Sequence, residues 1–192
     1  MTSADSPQAL APWSTRSRRE VYRNPWIRLE EHVAVLPNGH ETLYGVVRCQ
    51  ECVGVLPFPS ADEVLLVGQW RYIQGRASWE MPTGAMHPGE EAERAAQREL
   101  AEEAGVRAGR LVPVTAFWTS KSVVEETAHL FLALDLSPAE AEPDPTELIA
   151  RRTVPFDEAL DLVLRGEIVD AMTIIALLWA DRLRGLGELP AP

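Results

Sequence analysis

The chain has 192 residues, 46 % of them hydrophobic, with 18 basic against 29 acidic side chains and a formal charge of −11. That length and apolar content support one packed domain with extensions. The acidic balance lacks the basic footprint of a nonspecific nucleic-acid binder, so an anionic substrate must be met by a local device such as metal ions or a few arginines. Residues 1–17 are Ser, Ala and Pro rich and are expected to form a disordered tail. Ile27, Leu29, Glu31, Val33 and Val35 alternate with Arg28, Glu30 and His32, the period of a strand. Leu36–His40 contains Asn38-Gly39, a strong hairpin signal, and Thr42–Val47 is the returning strand. Cys52–Phe58 and Glu63–Trp70 read as two further apolar strands joined by a Pro-Ser-Ala-Asp turn, and Ser78–Met81 as a short one. Cys49 and Cys52 are spaced C-x-x-C, but no second pair or His-x3-His follows, so they read as core or surface thiols.

Beyond a charged helix that ends at Gly105, Leu111–Trp118 and Ala128–Leu134 read as strands, and Ala139–Glu147 as an exposed acidic loop. Pro155 and Gly166 bracket a short helix over Phe156–Leu164. Asp170 is placed to cap a helix running to about Arg184. Met172, Ile174, Ile175, Leu177, Leu178 and Trp179 nearly encircle that helix, which predicts deep packing, in part against a partner subunit. Neither a secretory signal nor a membrane-length apolar run appears, so a cytoplasmic protein with no membrane partner is expected.

The chemistry concentrates in Gly84–Val106. Glu99, Glu102 and Glu103 stand at i, i+3 and i+4, so an α-helix projects them from one face. Like charges at that spacing repel, which predicts a cation among them. Oxygen ligands of this kind suit Mg²⁺, with Mn²⁺ as the second option. Ala92, Ala95, Ala96 and Leu100 give the helix an apolar stripe, and Arg98 can pair with Glu102 or reach back to Glu90.

Gly84, Glu90, Arg98, Glu99, Leu100, Glu102, Glu103, Gly105 and Val106 match every fixed position of G-x5-E-x7-R-E-U-x-E-E-x-G-U, where U is aliphatic. On this spacing the segment resembles the box of the Nudix hydrolases. The N-terminal arm is similar to that of the ADP-ribose pyrophosphatase and nucleoside diphosphate sugar hydrolase branch of that family. The resemblance implies an α/β fold: an α/β/α sandwich with a mixed sheet, preceded by an N-terminal antiparallel β arm. It divides the chain into the tail 1–17, an arm over 18–48 that builds a homodimer, a hydrolase domain over 49–186 and a C-terminal tail 187–192. It also implies hydrolysis of the pyrophosphate bond of ADP-ribose or a related nucleotide sugar.

Glu99 and Glu103 would be direct metal ligands, Glu102 would share or bridge, and the carbonyl of Thr83 resembles the family's loop ligand. Gln69-Trp70-Arg71-Tyr72 resembles the Gln-Tyr-Arg element of ADP-ribose pyrophosphatases, in which Arg71 would contact the diphosphate or terminal ribose. Glu80 matches a position that faces substrate or metal in related enzymes. Trp26 is either a nucleobase stacker or a core anchor, and Arg28 could reach the same pocket. The catalytic base would lie on the loop Trp118–Thr127, with Glu126 as the counterpart of the family glutamate and Glu125 as the alternative. Lys121 and Ser122 stand where the family carries Pro and Gly, a departure that points to broader nucleotide-sugar hydrolysis. The competing readings are a noncatalytic nucleotide-sugar sensor, or a hydrolase of dinucleoside polyphosphates or other nucleotides.

Overall fold

A computed structural model describes residues 11–140 and 148–192. Most of the tail and most of the acidic loop expected from the sequence fall outside the described residues. In chain order the elements are β1 (Ser14–Arg23), β2 (Arg28–Val35), β3 (Glu41–Arg48), β4 (Cys52–Pro57), β5 (Glu63–Arg71), β6 (Arg76–Glu80) and β7 (Thr83–Ala85). Helix α1 (Ala92–Glu99) runs into a π-helical turn over Leu100–Ala104. Then follow β8 (Val106–Trp118), β9 (Val124–Glu125), β10 (Thr127–Pro138), β11 (Ala150–Pro155), α2 (Phe156–Leu164) and α3 (Ala171–Leu186).

The chain divides into two units, residues 1–50 with 118–127, and residues 51–117 with 128–192. The first is a four-stranded sheet in the order β1-β2-β3-β9. Its centre is the expected hairpin: β2 and β3 pair antiparallel, and Gly39 takes φ +84° in the turn. β1 pairs antiparallel with β2 from Ser14 onward, so residues 14–17 are strand and not tail. The composition of those residues concealed it, because every residue of β1 is exposed and no alternation of burial marks it. The loop 118–127 also belongs to this unit, through parallel pairing of β9 with β3.

The second unit carries one sheet in the order β7-β4-β10-β8 and another in the order β11-β5-β6. β4 and β10 pair in parallel and are covered on both faces, which explains their nearly continuous apolar sequence. One face of β4 sends Val53 and Val55 to Ala95, Ala96 and Leu100, so the predicted stripe of α1 does lie on the sheet. On the other side Leu56, Met81 and Leu130 join Phe156 of α2 and Leu177 of α3. The α3 expectation needs correction. Thr173, Ala176, Leu177 and Ala180 are buried, but Leu178 and Trp179 are 50 % and 43 % exposed, so within this chain the helix packs on one face only. Among the described residues no helix is long and apolar enough to cross a membrane.

Candidate active site

The loop before α1 is fixed to β4 at both ends. Val55 N–H donates to Pro82 O (2.9 Å), and Met86 N–H donates to Glu51 O (2.8 Å). From the other side the buried Thr173 hydroxyl accepts from Met81 N–H (3.0 Å) and donates to Asp170 (2.7 Å), whose carboxylate also caps α3 at Thr173 N–H. Two carboxylates of the box converge on the peptide so held. Glu103, 2 % exposed, accepts from Thr83 N–H at 2.8 Å and from Gln69 Nε2 at 3.0 Å. Glu99, 7 % exposed, lies so close to Gly84 that a Cβ there would sit 2.0 Å from its Oε1. Glycine at 84 is therefore the space into which a carboxylate fits.

The cation among the acidic side chains is Arg98. Its Nε and Nη2 grip Glu90 (3.2 and 3.0 Å), Nη2 donates to Ala85 O (2.9 Å), and Nη1 reaches Glu99 (2.5 Å) and Glu102 (3.2 Å). Both partners foreseen for Arg98 are thus used at once. The Arg98 hydrogen bonds hold the Glu90 carboxyl at a pKa of about 2, while Glu90 pushes the guanidinium up. The predicted single α-helical face is replaced by something else, because the π turn begins at Leu100 and shifts the phase of the residues after it. Glu102 ends a third exposed against Arg98, and Glu103 ends buried against Thr83. His87 is an exposed loop residue whose N–H donates to Glu90 (2.9 Å).

Arg71 and Glu80, both assigned to substrate from the sequence, bind one another. Arg71 Nε donates to both oxygens of Glu80 (3.0 and 3.2 Å), and Nη2 makes a third bond to Oε2. Glu80 is buried, and both residues line a cavity of about 320 Å³ with Arg76, Ser78, Thr83 and Asp170. A cavity of about 810 Å³ runs along the outer side of α1, past Arg94, Gln97, Glu102 and Arg107. None of Thr83, Gly84, Glu99 or Glu103 lines it, so its volume says nothing about the carboxylate site.

The remaining sequence candidates belong to the first unit. Trp26 is 75 % exposed on a turn in which Asn24 Oδ1 accepts from Trp26 and Ile27 N–H (2.9 and 2.8 Å), so within this chain it is not a core anchor. Arg28 pairs with Glu30 (3.0 Å). Glu30 also accepts from Arg48 (2.8 Å) and meets His32 (2.9 Å), and these contacts hold its carboxyl at a pKa of about 2. Arg48 continues to Glu125, whose carboxylate it binds directly. Glu126 lines a cavity of about 510 Å³ with Tyr44, Arg48, Trp118 and Lys121. Ser120 Oγ shapes that loop by accepting from Val123 and Val124 N–H (3.2 and 3.3 Å). Sequence reasoning passed over Arg48 and Arg151 and gave Gln69 no role within its element, because each acts through a partner distant in the chain.

Among the described residues, no three His, Cys, Asp or Glu side chains stand close enough to form a ready-made metal cage. The donor set still suits a hard divalent ion. Two buried carboxylates face the Thr83–Gly84 peptide, and Mg²⁺ is usually held by one or two carboxylates plus substrate phosphates rather than by a protein cage.

A mixed-sheet sandwich with this glutamate-bearing helix and glycine loop defines the Nudix class. The NUDIX domain matches residues 50–173, and the nucleoside diphosphate sugar hydrolase N-terminal domain matches residues 13–47. The chain therefore belongs to the Nudix family and is a hydrolase of that family. It is 34 % identical to the ADP-ribose pyrophosphatase of Bacillus subtilis (strain 168) over 165 residues, 85 % of this chain and 89 % of the relative. Over 165 residues, with the same coverage, it is 28 % identical to the methanol dehydrogenase activator of Bacillus methanolicus. The crystal structure of an ADP compounds hydrolase, 24 % identical, shares the fold with a TM-score of 0.83 over 93 % of this chain and 97 % of that one. Divalent metal use is general in the family.

Proposed function

We propose that the chain hydrolyses the pyrophosphate bond of ADP-ribose or a closely related nucleoside diphosphate sugar. Water adds to one phosphorus, the P–O bond to the bridging oxygen breaks, and a nucleoside monophosphate and a sugar phosphate leave. The observation that carries this reading is the convergence of Glu99 and Glu103 on the Thr83–Gly84 peptide. The 34 % identity to an ADP-ribose pyrophosphatase gives the substrate class. Glu99, Glu103 and the carbonyl of Thr83 would hold Mg²⁺, or Mn²⁺ in its place, with Glu102 nearby. When bound, such an ion neutralises phosphoryl oxygens and lowers the pKa of a coordinated water.

Arg71, kept in orientation by Glu80, offers a guanidinium to the diphosphate or terminal ribose. Glu126 takes the proton of the attacking water, and the tie from Arg48 to Glu125 favours Glu126 over its neighbour for this task. Trp26 and Arg28 contribute to nucleoside binding from the arm. The arm, which begins with β1 at Ser14, serves as a homodimerisation element and residues 49–186 as a hydrolase domain, in a cytoplasmic protein without nucleic-acid or membrane partners. The test is a hydrolysis screen with Mg²⁺ over ADP-ribose, GDP-mannose, UDP-glucose, diadenosine polyphosphates and NTPs, run in ¹⁸O-labelled water. Turnover of a nucleotide sugar that vanishes in a folded Glu103→Gln variant is the expected result. Full activity of that variant, or turnover of NTPs alone, refutes the proposal.

A further inference from the structure

Glu103 is held from two directions by one sheet. From β5, the Gln69 amide donates to its carboxylate at 3.0 Å. From β11, Arg151 Nε donates to its carbonyl at 2.5 Å, and Arg151 Nη2 donates to the Glu102 carbonyl at 3.2 Å. The two strands are hydrogen-bonded neighbours, with Arg151 opposite Val67, two residues from Gln69. Both groups therefore come from adjacent strands of one sheet.

The carbonyls that Arg151 takes are those a helix end leaves unsatisfied. A cation at that end is favoured by the helix dipole, and the planar fork of arginine can span two neighbouring acceptors. Gly105 makes room for it. Besides taking φ +69°, which favours glycine, it has no Cβ, and a Cβ there would lie 2.8 Å from Arg151 Nη1. The Glu103 carboxylate accepts from the Gln69 amide and the Thr83 N–H, while Arg151 fixes the backbone of the same residue through its carbonyl.

We infer that Gln69 and Arg151 are positioning residues that hold Glu103 in one orientation toward a divalent cation. The inference rests on the proposed hydrolase reading only in taking Glu103 as a ligand. The test measures Mn²⁺ binding to the full chain without nucleotide, by the electron paramagnetic resonance signal of free Mn²⁺, with thermal unfolding of each variant alongside. Arg151→Met and Gln69→Leu should weaken Mn²⁺ binding about 10- to 100-fold, the usual range for groups that orient a ligand. Arg151→Lys should fall between Arg151→Met and the wild type. Arg152, the next residue on β11, stacks its guanidinium 4.3 Å from the Trp79 ring centroid. Arg152→Met should therefore lower the unfolding temperature and leave Mn²⁺ affinity unchanged.

Wild-type affinity in Arg151→Met and Gln69→Leu overturns the inference, as does an equal loss in Arg152→Met or a wild type that binds no Mn²⁺. A wild type that binds Mn²⁺ in a Gln69-dependent way yet leaves every nucleotide sugar intact overturns the substrate reading and leaves this one standing.

Discussion

Replacing Gly84 with alanine isolates the placement of one carboxylate. Gly84 lies in β7 opposite Val53 and does not need a left-handed backbone, so alanine fits its main chain. What alanine meets is Glu99, with Oε1, Cδ and Oε2 at 2.0, 2.1 and 2.4 Å from the new Cβ. A normal nonbonded separation is about 3.5 Å, so the carboxylate must withdraw by roughly 1 to 1.5 Å. The atoms that move are the end of a side chain, so the fold can absorb the change. A glycine in a strand costs about 0.5 to 1 kcal/mol relative to alanine, which offsets part of the strain. Net stability should change by no more than about 1 kcal/mol, read as urea unfolding by circular dichroism. A misplacement of about 1 Å at a reacting centre can cost roughly 100-fold in rate. That corresponds to about 2.7 kcal/mol of barrier. The expected outcome is a folded Gly84→Ala protein whose kcat/KM for ADP-ribose falls about 100-fold. A rate within about threefold of wild type, in a variant with unchanged stability, would refute the idea that the missing Cβ serves Glu99.

Glu90→Gln tests the loop anchor. The Glu90 carboxyl is held at about 2 against an ordinary 4.5, so it favours the folded state above pH 4.5 and loses that contribution as pH falls from 4.5 to 2. The variant should be less stable than wild type by about 1 to 3 kcal/mol near neutrality. The gap should close over that acid window in urea melts, and a gap independent of pH would count against the Arg98 pairing. Glu126→Gln should lower kcat by about 100-fold or more with little change in KM, as loss of a general base does. Glu125→Gln should lose less than about tenfold, since that carboxylate is tied to Arg48. Equal losses in kcat would remove the distinction.

Elements with a half-buried face or a marked end could be read from the residues. The β2–β3 hairpin declared itself through alternation and Asn38-Gly39, and α2 through Pro155 and Gly166. Asp170 caps α3 as its side chain and position implied. β1 was invisible because a strand exposed along its whole length carries no burial period. β11 failed for a related reason: only Val154 of its six residues is buried. The π turn leaves no trace in a pattern read at 3.6 residues per turn, so the relative directions of Glu99, Glu102 and Glu103 could not be foreseen. Nor could Arg151, 48 residues from the carbonyl it binds. Local chemistry was legible, while contacts set by the register of β11 on β5 were not.

That register accounts for how four glutamates coexist around one loop. A plain surface helix would set three of them on one face and suffer their repulsion. Here Arg98 gathers Glu90, Glu99 and Glu102 on a single guanidinium, which closes the glycine loop onto α1 and leaves this subset with a deficit of two positive charges. The π turn carries Glu103 out of that subset and buries it beside the Thr83 N–H and the Gln69 amide. Glu99, bonded by Arg98, lies against Gly84, and Glu103, bonded by the Gln69 amide, accepts from Thr83 N–H. Two carboxylates of one helix thus meet neighbouring residues of one loop, where a divalent ion would find hard oxygen ligands beside a diphosphate.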